Sequence, residues 1–70
     1  MKKNKAELVS EIPKNRFRSI DGSKPKIGDT VVLDQGFIFA DGEAGCLVYG
    51  INAKQQFTFE AEVYETELSS

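Results

Sequence analysis

The side chains that most often act as nucleophiles and bases are scarce in this sequence. It contains no histidine and one cysteine, Cys46, so neither a Ser-His nor a Cys-His pair can form. Cys46 lies in an apolar stretch, where cysteine usually packs as a small, inert hydrophobe. Glu60 and Glu62 share one face of a strand pattern, but nothing near them predicts the burial that acid–base catalysis needs. We therefore expect no catalytic residue and no enzymatic activity.

Metal and phosphate chemistry is not indicated either. The turn carboxylates Asp29, Asp34, Asp41 and Glu43 do not follow the alternate spacing of a calcium-binding loop. A lone cysteine in a chain without histidine cannot build a structural zinc site. The glycines are not followed by the Lys-Ser or Lys-Thr pair of a phosphate-binding loop. We expect no metal and no cofactor.

Charge is distributed very unevenly along the chain. Residues 1–26 carry eight basic and three acidic side chains, a net charge of +5, whereas residues 27–70 carry one basic and eight acidic side chains, a net charge of −7. Such asymmetry bears on the choice of partner rather than on the fold. It predicts a basic arm joined to an acidic domain.

The acidic half contains the candidate surface for binding another protein. Alternation in residues 56–64 predicts a strand with one polar, acidic face that carries an aromatic ring. Aromatic side chains often dominate the binding energy of interfaces. The candidate partner-binding residues are Thr58, Glu60, Glu62, Tyr64, Tyr49 and Ile38. For Ile38 the alternative is a position beneath the N-terminal arm, with Phe37 and Phe39 in the core.

The basic half supports a second hypothesis, contact with nucleic acid. Small barrels often bind nucleic acid through a basic groove with aromatic stacking. The candidate residues are Lys14, Arg16, Phe17, Arg18, Lys24 and Lys26, with Phe17 as the stacking ring. The alternative is that these cations are solvated, or pair with the acidic half of the same chain.

Short β-strands dominate the pattern after residue 26. Strands are predicted over 30–33, 37–40 and 46–51, with Asp34-Gln35-Gly36 ending the first of them. Asp41-Gly42 fits either a two-residue hairpin turn or a longer, bulged connection. In the last strand, over 56–64, alternation places Phe57, Phe59, Ala61 and Val63 together on the buried face.

The first 26 residues have a weaker pattern. Asn4 and Glu7 fit a loose capping box, and Leu8 and Ile12 are four residues apart, which permits a helix of about eight residues that stops before Pro13. Such a short helix is marginal without packing. Residues 17–20 fit a short strand. We expect this arm, helical or extended, to pack on the sheet or to be partly loose.

Together these elements predict a mainly β fold, a strongly bent antiparallel sheet or partly open barrel of four or five strands. Residues 27–33, with Gly42, Gly45 and Val48, resemble the SH3-like and KOW-type small barrels. The resemblance implies an architecture and does not transfer a function. The predicted organisation is an arm over 1–26, an acidic β core over 27–68 and a frayed tail at 69–70.

The combined expectation is a non-catalytic protein-binding module, such as an adaptor, accessory subunit or small inhibitor. Its partner would present a basic surface, and self-association is left open. No apolar run approaches the ~20 residues that span a bilayer, so no membrane partner is expected. The single cysteine and the absence of a signal-peptide pattern favour the cytoplasm.

Overall fold

The computed structural model describes residues 4–69, and strands make up most of this range. The six strands are β1 (Lys5–Leu8), β2 (Phe17–Ser19), β3 (Thr30–Ile38), β4 (Ala44–Ile51), β5 (Phe57–Tyr64) and β6 (Leu68–Ser69). Two 3-10 helices precede β2 and β6, at Lys14–Arg16 and Glu65–Glu67.

The strands form a single antiparallel sheet in the order β2-β5-β4-β3-β1-β6. Strands β3, β4 and β5 form a meander at its centre, while β1 joins β3 to β6. Because β2 and β6 are the two edges of the described sheet, it is not closed into a barrel. The mainly β, antiparallel prediction is confirmed, with six strands instead of four or five.

The core lies on one side of this sheet, which we call the inner face. Its buried apolar side chains come from β1, β3, β4, β5 and the segment after β1. They are Ala6, Leu8, Ile12, Val31, Val48, Phe59, Ala61 and Val63, with Phe17, Leu33, Cys46 and Leu68 packed against them. Burial raises the pKa of the Cys46 thiol, and this half-buried position fits the expected packing role of the side chain.

The N-terminal helix is not formed, and β1 occupies its place. Ala6 and Leu8 are buried while Lys5 and Glu7 are exposed, which is the two-residue period of a strand. This strand pairs with β3 on one side and β6 on the other. A short isolated helix cannot compete with backbone pairing on both sides. The division at residue 26 is therefore a boundary in charge, while both segments share one sheet.

The predicted end of a strand at Asp34-Gln35-Gly36 is wrong, because β3 continues through it. Leu33 pairs with Val48 and Gln35 with Leu47, so Asp34 is an extra residue on β3. One extra residue bends a strand without ending its ladder. The turn-forming residue types at 34–36 mark this bulge and not a loop.

A second bulge changes the faces at the start of β5. Gly50 pairs with Phe59 and Ile51 with Phe57, so Thr58 is the extra residue. The expected common face of Phe57 and Phe59 is therefore wrong at its first position: Phe59 is 2% exposed, whereas Phe57 is 48% exposed. Ala61 and Val63 do face the core with Phe59, as alternation predicted.

The chain reverses between β3 and β4 through the longer of the two connections left open by the sequence. The Phe39 N–H donates to the Glu43 carbonyl, and the Gly42 N–H donates to the Phe39 carbonyl. Gly42 has φ of 89°, a conformation that suits glycine. The result is a three-residue loop of the bulged hairpin type.

Of the predicted frayed tail at 69–70, Ser69 is part of β6 in the structure. Ser69 pairs with Glu7, and Leu68 pairs with Leu8. Ser70 lies outside the described residues, as do positions 1–3.

Candidate protein-binding face

The side of the sheet opposite the core, which we call the outer face, carries most of the candidate partner-binding residues. The pairing of β4 with β5 determines which side chains are neighbours on this face: Tyr49 lies beside Glu60, and Leu47 beside Glu62. Directly paired side chains on one face are close enough to interact. The alternation predicted for β5 therefore does place Glu60, Glu62 and Tyr64 together.

An aromatic pair forms one end of this face. The rings of Tyr49 and Phe57 stack with centroids 4.6 Å apart and an angle of 14° between their planes. The Tyr49 hydroxyl donates to Glu60 at 3.3 Å. Burial raises the pKa of Tyr49, and the Glu60 carboxylate adds to that effect. The pair offers a rigid apolar surface with a polar edge, which suits an interface anchor.

Cations from the basic segment lie beside Glu60 and Glu62, the acidic residues of β5 on the outer face. Arg18 pairs with Glu60 across β2 and β5, and its guanidinium is 2.9 Å from the Glu60 carboxylate. The Arg18 side chain is 72% exposed. Glu62 is also exposed, and no ion pair of the described chain includes its side chain. This part of the outer face is thus a mixed-charge surface in which Glu62 supplies the accessible negative charge.

A shallow depression of about 390 Å³ lies on the outer face near the β2 edge, where residues of β2, β5 and β4 line it. Leu47 contributes apolar surface to it, and four charged side chains also line it: Arg16, Arg18, Glu60 and Glu62. An apolar centre with a polar rim is the general composition of protein interfaces. The depression can accept an apolar side chain while its rim selects the charges beside that side chain.

Tyr64 lies at the other end of the outer face in a second aromatic cluster. Its ring stacks on Phe39 with centroids 4.1 Å apart, and the Arg16 guanidinium lies 4.9 Å from its centroid. Its hydroxyl donates to Asp41 at 2.8 Å. That hydrogen bond raises the pKa of Tyr64. Hydrogen bonds from the Glu43 backbone N–H and the Tyr64 hydroxyl lower the pKa of Asp41. These contacts hold the ring in place.

Two candidate residues do not belong to the outer face. Thr58 is only 8% exposed, and its carbonyl accepts the N–H groups of Ile20 and Asp21. Its predicted place on the exposed face of β5 is wrong, because the bulge shifts Thr58 out of the strand's alternation. Ile38 is 67% exposed, near the tip of the β3–β4 hairpin, and alternation separates it from Phe37 and Phe39.

Sequence reasoning misplaced three aromatic rings that belong to this face. Phe37 and Phe39 were expected in the core if the arm covered Ile38. The structure leaves Ile38 uncovered and packs Phe37 edge-on against Phe39, with centroids 4.8 Å apart, beside Tyr64. Phe57, expected inside, joins Tyr49. Leu47 also belongs to this face, between Gln35 and Glu62 of the neighbouring strands. The sequence carries no local signal for this position, because residues 46–51 are apolar on both alternating sets.

The six residues of the nucleic-acid hypothesis divide between the two sides of the sheet. Arg16 and Arg18 serve the outer face through ion pairs with Glu67 and Glu60. The others surround an open groove beside the core: Lys14, Phe17 and Lys24 line one part, and Lys26 lines the adjoining part. Phe17 also lines the outer depression together with Arg16 and Arg18. The structure therefore brings together a smaller basic set than the sequence suggested.

Residues 4–69 contain neither a bilayer-spanning helix nor a cluster of metal ligands. No helix in this range is long and apolar enough to cross a bilayer. Within the same range, no three Cys, Asp or Glu side chains cluster closely enough to hold a metal ion.

Comparison of the chain with models of protein families, with curated proteins and with solved structures gives no match. The outer face and the groove beside the core are therefore the surfaces from which we infer a function.

Proposed function

We propose that this protein is a non-catalytic protein-binding module that uses the outer face of its sheet. The observation that carries the proposal is the Tyr49–Phe57 pair, since Phe57 is 48% exposed although it is a large apolar ring stacked on a second ring. An aromatic pair held open to solvent beside a depression has the composition of an interface anchor. Leu47 extends the apolar area toward Tyr64.

The charge of the acidic half indicates which kind of partner the outer face favours. Residues 27–70 have a net charge of −7, and Glu62 is exposed on the outer face next to the depression. A partner with a basic surface is favoured, because complementary charge raises the association rate and penalises wrong partners. Arg18 pairs with Glu60 but remains exposed, so it can also bind a carboxylate of the partner.

The experiment measures binding of a captured partner to surface variants. The protein is cross-linked in its native lysate, the partner is identified and purified, and association rates are measured by surface plasmon resonance. Replacing both Glu60 and Glu62 by lysine is expected to slow association about tenfold or more at low salt. Phe57→Ser is expected to speed dissociation, because it removes an anchor.

The control is a double variant with the same change in net charge, Glu43→Lys with Glu65→Lys, at exposed positions away from the Tyr49–Phe57 pair. If the two double variants slow association equally, the effect comes from net charge and the outer face is not the site. Unchanged binding of Phe57→Ser would remove the aromatic anchor from the proposal.

The alternative function, contact with nucleic acid through the basic segment, has narrower support. Arg16 and Arg18 are engaged in ion pairs with this chain's own carboxylates. Phe17 is one half-buried ring, whereas single strands are usually bound on several stacking platforms. We therefore keep it as the second hypothesis, tested by salt-dependent binding of an oligonucleotide.

Two finer expectations belong to the same proposal. An SH3-like arrangement is supported by the β3-β4-β5 meander, with β1 between β3 and β6. A cytoplasmic location is supported by the single cysteine, which cannot form a disulfide within the chain.

A further inference from the structure

A groove of about 520 Å³ opens on the side of the sheet opposite the outer face. Phe17 pairs with Ala61 of the core, whereas the next residue, Arg18, pairs with Glu60 of the outer face. Strand alternation therefore directs Phe17 and Arg18 to opposite sides. The groove and the outer depression therefore open on opposite sides of the sheet and share one lining residue, Phe17, so the proposal does not rest on the proposed function.

The groove has an apolar floor and a basic rim. Its floor includes Ile12, which is 6% exposed, and the half-buried Phe17. Its rim includes the exposed Lys14 and Lys24, and no carboxylate lines this part of it. A neighbouring depression shares Ile12, Phe17 and Lys24 and adds Pro25 and Ile27, with Lys26 and Glu11 at its margin.

The rim lysines form no ion pair with a carboxylate of residues 4–69. The ion pairs of residues 4–69 join Arg16 to Glu67 and Arg18 to Glu60, and neither includes a lysine. An exposed lysine side chain outside these ion pairs can turn toward an incoming carboxylate on its flexible stem. The exposed Ile27, 63% accessible, adds apolar surface beside them.

We propose that this groove is a docking site for an acidic peptide segment that carries a large apolar side chain. The apolar side chain enters over Ile12 and Phe17, and flanking carboxylates meet Lys14 and Lys24. The volume is in the range of sites that hold compact ligands. A single aromatic ring cannot stack successive bases, so a peptide fits better than a nucleic acid strand. The protein would then hold two partners on opposite sides of one sheet.

The test titrates the isotope-labelled protein with a short acidic peptide that has a central Leu-Phe pair, followed by NMR. Three comparison ligands are the same peptide with Ser-Ser in place of Leu-Phe, a lysine-rich peptide that retains Leu-Phe, and an oligothymidine. We expect saturating amide shifts confined to Ile12, Lys14, Phe17 and Lys24 and their neighbours, with the acidic Leu-Phe peptide binding most tightly.

The variant arm replaces Lys14 and Lys24 by glutamate, with Lys5→Glu and Lys54→Glu as a control of equal charge change at exposed positions outside the groove. Binding is expected to weaken at least about tenfold in the groove variant and less than about threefold in the control. Preservation of the remaining amide spectrum shows that each variant is folded.

Several outcomes overturn the assignment. Equal affinity for the Ser-Ser peptide would show that the apolar floor is not used. Tighter binding of the oligothymidine would assign the groove to nucleic acid. Concentration-dependent shifts at the groove without any ligand would make a second copy of the chain its occupant. Shifts on the outer face alone would place the peptide there.

Discussion

Arg16 forms two parallel hydrogen bonds with the carboxylate of Glu67, at 2.8 Å and 2.9 Å. The pair joins the 3-10 helix before β2 to the one before β6, so it connects segments 51 residues apart. Arg16 also donates to the Glu62 carbonyl, and Glu67 also accepts the Tyr64 N–H. Both side chains are largely buried, with exposures of 17% and 14%. The pair organises one end of the outer face.

Replacing Arg16 by alanine is expected to lower the free energy of unfolding by about 2 kcal/mol, because a largely buried carboxylate loses its charged donor. Urea denaturation monitored by tyrosine fluorescence measures the change. The matched control is Arg18→Ala, since Arg18 also pairs with a glutamate but is 72% exposed. A loss below about 1 kcal/mol is expected there. Equal losses would show that the burial of the Arg16 pair is unimportant.

The same pair predicts a pH dependence. The hydrogen bonds from Arg16 hold the pKa of Glu67 below its ordinary value of 4.5. A lowered folded-state pKa stabilises the protein above the unfolded-state pKa, and that contribution is lost as the pH falls through the folded-state value. The stability difference between the native chain and Glu67→Gln should therefore be constant near neutrality and shrink below about pH 4.5.

Unfolding free energies of both chains between about pH 7 and pH 3 provide the measurement. Asp21 and Asp41 also have lowered pKa values, through hydrogen bonds that both chains share, so their effects cancel in the difference. A difference that stayed constant across the whole range would contradict a role for the Glu67 charge.

Substitutions at Phe59 and Phe57 test which side of the sheet each of these residues of β5 faces. Phe59→Ala is expected to cost about 3–5 kcal/mol, because the ring is buried and its removal leaves a cavity. Phe57→Ala should cost about 1 kcal/mol, since half of that ring is already exposed. Thermal or urea unfolding of the two variants distinguishes them. Similar losses would mean that the Thr58 bulge does not turn Phe57 outward.

Gly50 should tolerate no larger side chain. A Cβ at this position would overlap the ring of Phe59, which is itself buried at 2% exposure. Gly50→Ala is expected to cost about 1–3 kcal/mol through overpacking. Gly36→Ala is the control, because its Cβ would meet only the Gly45 carbonyl at 3.8 Å, an ordinary contact. Equal stability of the two variants would contradict the close approach at Gly50.

Leu8 and Val9 test whether β1 is part of the core. Leu8→Ala is expected to cost about 2–5 kcal/mol, because Leu8 is 1% exposed. Val9→Ala should cost less than about 1 kcal/mol, since Val9 is 48% exposed. The comparison uses denaturant midpoints. If neither variant shifts the midpoint, the N-terminal segment does not contribute to stability and its strand pairing is not required.

The sequence alone determined the class of the fold and much of the last long strand. Alternation in β5 placed Phe59, Ala61 and Val63 in the core and Glu60, Glu62 and Tyr64 on the opposite side, because a strand has a strict two-residue period. The position of the turn after β3 was also readable, since Gly42 adopts the positive φ that an Asp-Gly pair favours, while the length of the connection was left open. These are local properties of the backbone and its neighbours.

Tertiary structure decided the positions where pairing partners matter. The bulges at Asp34 and Thr58 are visible only when β4 is aligned against its neighbours, and the second one reverses the assignments of Phe57 and Thr58. Residues 5–8 become a strand because β3 and β6 supply hydrogen bonds from far along the chain. The separation of Arg16 and Arg18 from Lys14 and Lys24 likewise depends on which carboxylates the folded sheet brings near. Such long-range contacts have no local signature, because no short segment specifies the partner against which it will pack.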